Sequence, residues 1–313
     1  MYMGLLVSMI VASQLPGLAD LFRGSSDPLG LVLGASMIFA VGVVDDVRDM
    51  SAPAKMSGQI LAGMVLYLFG VNMLYFRTPL AGTVVLSADL IPILTVVWVV
   101  GMANAINLVD GLDGLAAGIV AIAAAAFFFY SHQLVAAGTI QPSSGGLFCA
   151  IVVGVCAGFL PHNFHPARIF MGDAGALMLG LLMAAATMSV VGQTDQDFSG
   201  RTYFFFAPVL IPFLILGIPI LDTAFAIVRR AGRRTNLSAR DINHLHHRLM
   251  RLGHGQTRSV LILWTWTALL SGLVLVPSYL KGSLSIVPFG IAALAVALYT
   301  LFGVRGRTAA EKN

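Results

Sequence analysis

The sequence predicts an all-α fold, a polytopic bundle of transmembrane helices, and three observations carry that prediction. Of the 313 residues, 58% are hydrophobic and only 10% are charged, whereas soluble domains carry roughly 25% charged residues. Mean hydropathy is +0.89. The apolar residues gather into runs close to the roughly 20 residues that a helix needs to cross about 30 Å of hydrocarbon. Eighteen Lys+Arg, fourteen Asp+Glu and seven His cannot clothe a 33.1 kDa globule in water. A soluble enzyme, a disordered tail and a disulfide scaffold are excluded.

Ten segments, taken in chain order, satisfy the length and apolarity of a span. Met1–Pro16 has no basic leader and no small-residue cleavage site, so a cleaved signal peptide is not expected there. Leu29–Val44 and Met56–Phe76 flank an acidic stretch, and Leu90–Ala103 runs into an Asn/Asp-rich one. Leu115–Tyr130 begins after two glycines. Gly146–Leu160 carries Cys149 and Cys156, seven apart on one helical face; there they cannot bridge and fill core volume instead. Ala174–Gly192 starts behind Asp173, Tyr203–Val228 encloses Asp222, and Ser259–Pro277 and Leu284–Phe302 close the chain. The reading is one membrane domain over residues 1–313, with loops 45–55, 104–114, 163–173 and 229–258 forming the active site.

Orientation follows from the distribution of Lys and Arg, which concentrate on the cytoplasmic side. Fourteen of the eighteen fall in one set of alternate loops, eight of them in residues 229–258, and four in the other set. Both termini and all four acidic or His-rich loops are thereby placed in the cytoplasm. This positive-inside bias also accounts for a sequence pI near 9.3, so basicity gives no reason to expect nucleic acid.

Four polar clusters interrupt the apolar runs. In Val43-Val44-Asp45-Asp46-Val47-Arg48-Asp49, followed by Lys55, adjacent carboxylates end an apolar helix. They are either a solvated helix end or a functional pair; at the negative end of the helix dipole they call for a cation nearby. In Asn104-Ala-Ile-Asn107-Leu-Val-Asp110-Gly-Leu-Asp113-Gly114, the residues Asn104, Asn107 and Asp110 recur at helical spacing on one face. Such oxygen donors suit a hard cation, Mg²⁺ or Mn²⁺. The third cluster, Asn163 through Phe170-Met-Gly-Asp173, has Asp173 opening a span, where an ordinary N-cap is the competing explanation. The fourth, Asp241-Ile-Asn-His244-Leu-His246-His247-Arg248, lies among arginines. That setting favours an anion such as phosphate over zinc. Metal ligands, carboxylates and cations together at an inner membrane face fit transfer of a phosphoryl-linked group to a lipid phosphate. A Walker A or Rossmann pattern is absent from the sequence.

Val43–Asp46, N-x-x-N-L-x-D-G-x-D-G-L at Asn104–Leu115, F-M-G-D-x-G at Phe170–Gly175 and D-x-x-H-x-H-H-R at Asp241–Arg248 resemble the polyprenyl-phosphate N-acetylhexosamine-1-phosphate transferases. All four occur in the family's order, and within it the chain looks most like the WecA/TagO branch. The resemblance implies transfer of GlcNAc-1-phosphate from UDP-GlcNAc to a polyprenyl phosphate, undecaprenyl or decaprenyl, with release of UMP. That would be the first lipid-linked step of cell-envelope polysaccharide synthesis, at the cytoplasmic face of a bacterial plasma membrane. It implies Mg²⁺ (or Mn²⁺) on Asp173 with Asn107 and Asp110 beside it, and Asp45 and Asp46 at the lipid phosphate. Lys55 is expected near phosphate. Asn163 and Phe170 are expected to line the nucleotide pocket, Asp113 to bond uracil, and Asn104 to bind substrate. His244, His246, His247 and Arg248 would hold the pyrophosphate and sugar.

Family members usually begin with one more helix and a P-R-x-G-G-like loop, so the spans found here correspond to the second onward. The expectation is either a late start codon or a shortened, inactive homologue. Other readings are transfer of phospho-MurNAc-pentapeptide, against which the spaced His244-Leu-His246-His247 speaks, and an ion-coupled transporter built around Asp222. A homodimer is left open.

Overall fold

The computed structural model describes residues 1–78, 82–138, 143–191, 255–279 and 287–302. The predicted span Tyr203–Val228, Asp222 and the cluster His244, His246, His247 and Arg248 lie outside the described residues. Helices dominate: α1 (Tyr2–Gln14), a 3-10 turn at Pro16–Leu18, α2 (Ala19–Gly24), α3 (Asp27–Arg48), α4 (Ala52–Leu68), α5 (Leu90–Val109), α6 (Leu115–Ala136), α7 (Ser144–Asn163), α8 (Gly172–Val191), α9 (Gln256–Tyr279) and α10 (Val287–Phe302). Five of them (α3, α5, α6, α7 and α8) are long and apolar enough to cross a membrane, and α1 with the bent segment after it forms a sixth candidate. The protein is a multi-pass membrane bundle, as its composition predicts.

Boundaries differ from the sequence reading where a helix outlasts its apolar stretch. Helix α3 continues through Asp45 and Asp46 to Arg48 and stops only where Asp49 takes φ +46°, a left-handed conformation that Asp tolerates. Helix α5 likewise carries Asn104 and Asn107 to Val109. The expected loops 45–55 and 104–114 are therefore largely helix ends. The opposite correction applies to Met56–Phe76. Helix α4 begins earlier, behind Ser51 with Pro53 in its first turn, and ends at Leu68. Gly70 at φ +96° then breaks the helix. An antiparallel hairpin follows, β1 (Tyr75–Thr78) with β2 (Gly82–Val85), in register from Tyr75↔Val85 to Thr78↔Gly82. Its aromatic and β-branched residues favour extended chain.

Helix α8 is the axis of the bundle. It packs against α3, α5, α7 and α6 and is buried along almost its whole length. Lipid offers little hydrophobic drive between helices, so close approach of small residues must supply the packing. A Cβ at Gly42 of α3 would run into the backbone of Ala174, and one at Gly180 of α8 into that of Ala103 on α5. Cys149 and Cys156 are buried and unbridged, as the spacing requires.

Because successive spans run antiparallel, the C-terminal ends of α3, α5 and α7 meet the N-terminal ends of α4, α6 and α8. Those are the ends that carry the first three polar clusters. At the other end, Ser144 at the start of α7 donates to Asp27 at the start of α3, 2.5 Å apart, tying those helices together.

Candidate active site

The two acids that end α3 face different partners. Asp45 Oδ2 lies 2.9 Å from the Lys55 ammonium, carried by the first turn of α4, and Oδ1 accepts from the Met50 amide at 2.7 Å. The cation that a carboxylate at a helix C-terminus calls for is thus supplied from the next helix. Asp46 turns instead to α8, its oxygens accepting from the amides of Asp173 (2.8 Å) and Ala174 (3.1 Å). This corrects the competing explanation of Asp173 as its helix's own N-cap. Asp46 caps α8 from another helix, and the Asp173 side chain pairs with Lys55. Gly172 makes the contact possible: it sits at φ +63°, and a Cβ there would lie 2.6 Å from Asp46 Oδ2. Only glycine meets both demands comfortably.

On α5 the three stacked oxygen donors divide. Asn104 donates to Gln59 Oε1 of α4 at 2.6 Å and to the Val100 carbonyl at 2.7 Å. It is a strut between helices, and its buried partner Gln59 follows Lys55 by one turn, behind the first polar cluster. One turn further on, Asn107 and Asp110 line a cavity of about 310 Å³ together with Gly111, Leu112, Asp113, Asn163 and residues Phe170 to Asp173. Asn104 is not among the lining residues. Burial first, then the negative charges of Asp113 and Asp46, push the Asp110 carboxyl up to about 7.

The stretch between α7 and α8 closes one side of this cavity. Asn163, almost fully buried, accepts from the Gly114 amide and donates to the Ile169 carbonyl, both at 3.0 Å. Asp113 Oδ2 lies 2.8 Å from His165 Nδ1 and accepts from the Ala167 amide at 3.2 Å. Asn163 and Asp113 thus brace the loop while lining the cavity. His165 is the partner that sequence reasoning left without a role; its signal was a histidine set between two acid clusters. Phe170 stays 75% exposed, presenting an aromatic face at the cavity rim.

Asn107, Asp110, Asp113 and Asp173 offer the cavity only oxygen donors, the chemistry of a hard divalent cation rather than of zinc. The Asp110 carboxyl is raised first by burial and then by Asp113 and Asp46, and a cation beside it would relieve both penalties. Among the described residues, no three acidic or His side chains already converge as a metal cage, and Asp173 is engaged by Lys55.

Comparison with known proteins finds a matching family and several relatives. Residues 28–191, which hold every site residue described above, match the family described as glycosyl transferase family 4. The decaprenyl-phosphate N-acetylglucosaminephosphotransferase of Mycobacterium leprae is 38% identical over 277 residues, covering 87% of this chain and 70% of the relative. A probable undecaprenyl-phosphate N-acetylglucosaminyl 1-phosphate transferase of Bacillus subtilis is 37% identical over 235 residues, 75% of this chain and 61% of the relative. A phospho-N-acetylmuramoyl-pentapeptide-transferase of Staphylococcus saprophyticus is more distant, at 30% over 284 residues, 86% of this chain and 81% of the relative.

Proposed function

The chain belongs to glycosyl transferase family 4, and from that premise we propose that it moves GlcNAc-1-phosphate from UDP-GlcNAc to a polyprenyl phosphate and releases UMP. The observation that carries the reading is the oxygen-lined cavity beside the Asp45–Lys55–Asp173 ion pairs at one end of an apolar bundle. A lipid phosphate and a water-soluble nucleotide can meet there. The Lys/Arg distribution supports placing that end in the cytoplasm of a bacterial cell.

Asp173 and Asn107, with Asp110 beside them, would hold Mg²⁺ or Mn²⁺. When bound, the ion supplies neutralisation of pyrophosphate charge. The second pKa of a phosphate monoester is about 6, so the acceptor is largely a dianion at neutral pH and needs little help from a base. One acceptor oxygen attacks the sugar-linked phosphorus, the bond from that phosphorus to the bridging oxygen breaks, and UMP leaves with the electron pair. Asp46, spent on two backbone amides, is a positioning residue. Asp45, which meets the Lys55 side chain instead of the α8 backbone, is the acid suited to orient the acceptor or take its residual proton. Phe170 offers the uracil ring a stacking face.

Transfer of phospho-MurNAc-pentapeptide is the alternative, and the lower identity to that relative speaks against it. Purified chain supplied with a polyprenyl phosphate should release UMP from UDP-GlcNAc and leave UDP-MurNAc-pentapeptide untouched. The reverse preference would overturn the substrate assignment, and UMP release from neither donor would overturn the reaction.

A further inference from the structure

The metal role proposed for Asp173 leaves its ion pair with Lys55 without a purpose, because one carboxylate then has two claimants. We propose that Lys55 is a displaceable counter-cation: its ammonium and the divalent metal compete for Asp173, and Asp45 is the anchor to which the ammonium retreats. This rests on the metal reading of Asp173. Lys55 touches both carboxylates, so it can leave one without being stranded. The three side chains are only 19%, 16% and 28% exposed for Lys55, Asp45 and Asp173, a setting in which an unpaired charge is costly. A lysine suits the task, having three donors on a flexible stem.

The acid, by contrast, is fixed. Asp46 pins the α8 backbone at Asp173 itself, so the lysine is the partner that moves. Lys55 is not among the residues lining the cavity, whereas Asp173, Asn107 and Asp110 are; it reaches Asp173 from the α4 side. Metal binding and release of Lys55 are then linked, each favouring the other by the same factor. Occupation of the cavity thereby leaves the ammonium paired with Asp45 alone, with a donor to spare for an anionic acceptor.

The test is Mn²⁺ binding to the purified chain in detergent, followed by electron paramagnetic resonance, with the Mg²⁺-induced rise in melting temperature as a second readout. Lys55→Met and Lys55→Gln should each bind Mn²⁺ about fivefold more tightly than the parent, the scale of one lost, partly exposed ion pair. Both should melt lower in EDTA and gain more from Mg²⁺. Asp45→Asn should bind Mn²⁺ more weakly, because the ammonium then has only Asp173, and should change nothing further in the Lys55→Met background. Binding by Lys55→Met and Lys55→Gln that equals or falls below the parent's overturns the proposal, as does equal tightening by Arg48→Gln, which would indicate a general field. Asp173→Ala separates the two readings. If it binds Mn²⁺ as the parent does, the metal assignment fails and this proposal with it. If it loses Mn²⁺ while the Lys55 variants do not tighten, only the competition fails.

Discussion

Asp46 accepts from two amides in the first turn of α8, so an acid adjacent to Asp45 in sequence serves a different helix. Losing an N-cap costs about 1 kcal/mol, with a range of roughly 0.5–2. Asp46→Ala should therefore lower stability by that order, seen as a lower melting midpoint in detergent, and cut transfer, while Asp46→Asn, which keeps an acceptor, should recover most of the stability. Equal melting of all three forms would remove Asp46 from the α8 cap. Asp110 calls for the opposite change. Its folded-state pKa is raised to about 7, first by burial and then by Asp113 and Asp46, well above the unfolded value of about 3.9. An acid raised in this way destabilises the fold increasingly as pH climbs from the unfolded to the folded pKa, and fully above it. Asp110→Asn should therefore stabilise the chain more at pH 8 than at pH 5, and lose that advantage when Mg²⁺ is added. Melting curves at the two pH values decide this; a gain independent of pH would contradict the buried-charge account. At this scale the sequence revealed which residues matter better than what they touch. Asn104, Asn107 and Asp110 do share a helix face, but Asn104 spends its side chain on Gln59, a partner 45 positions away.

Among the elements, α8 decides the geometry of the site, because its N-terminus carries Asp173 and its length is packed on all sides. Gly42 and Gly180 let α3 and α5 approach it backbone to backbone. Overpacking such contacts costs roughly 1–3 kcal/mol. Gly180→Val should lower stability by that order and shift Asp173 away from Asp46, with transfer falling more than melting alone explains. A variant that keeps full activity would place the Gly180 contact outside the support of the site. Apolar runs made the helices legible, but their ends were not, since α3 and α5 continue into polar residues until Asp49 and Asp110 break the pattern. The hairpin at Tyr75–Val85 was not legible because Tyr75 and Phe76 read as the end of the apolar run that precedes it. Residues 229–254, outside the described ones, add a prediction from sequence alone. His246→Ala and Arg248→Ala should each reduce turnover at least about 100-fold, the loss typical of removing one transition-state donor. A fall below about threefold at both would make that stretch a positive-inside anchor only.

For the whole molecule, alternation of spans turns sequence order into a two-ended object. Asp45, Lys55, Asp110 and Asp173 gather at one of its ends, where α3, α5 and α7 finish and α4, α6 and α8 begin. Composition made the membrane class readable, and the four motifs made the family readable. The sharing of Lys55 between two acids could not be read, because that contact joins residues 118 positions apart. In the proposed reaction a phosphorylated sugar, rather than a sugar alone, passes to the lipid. The most direct test supplies UDP-GlcNAc labelled at the sugar-linked phosphorus, with polyprenyl phosphate as acceptor. Label recovered in the lipid with GlcNAc, UMP as the other product and no exchange of UMP into UDP-GlcNAc without lipid is the result this account predicts. Label remaining in released UDP, or UMP exchange in delipidated protein that Asp45→Asn abolishes, would contradict, respectively, the reaction assigned here and its single displacement.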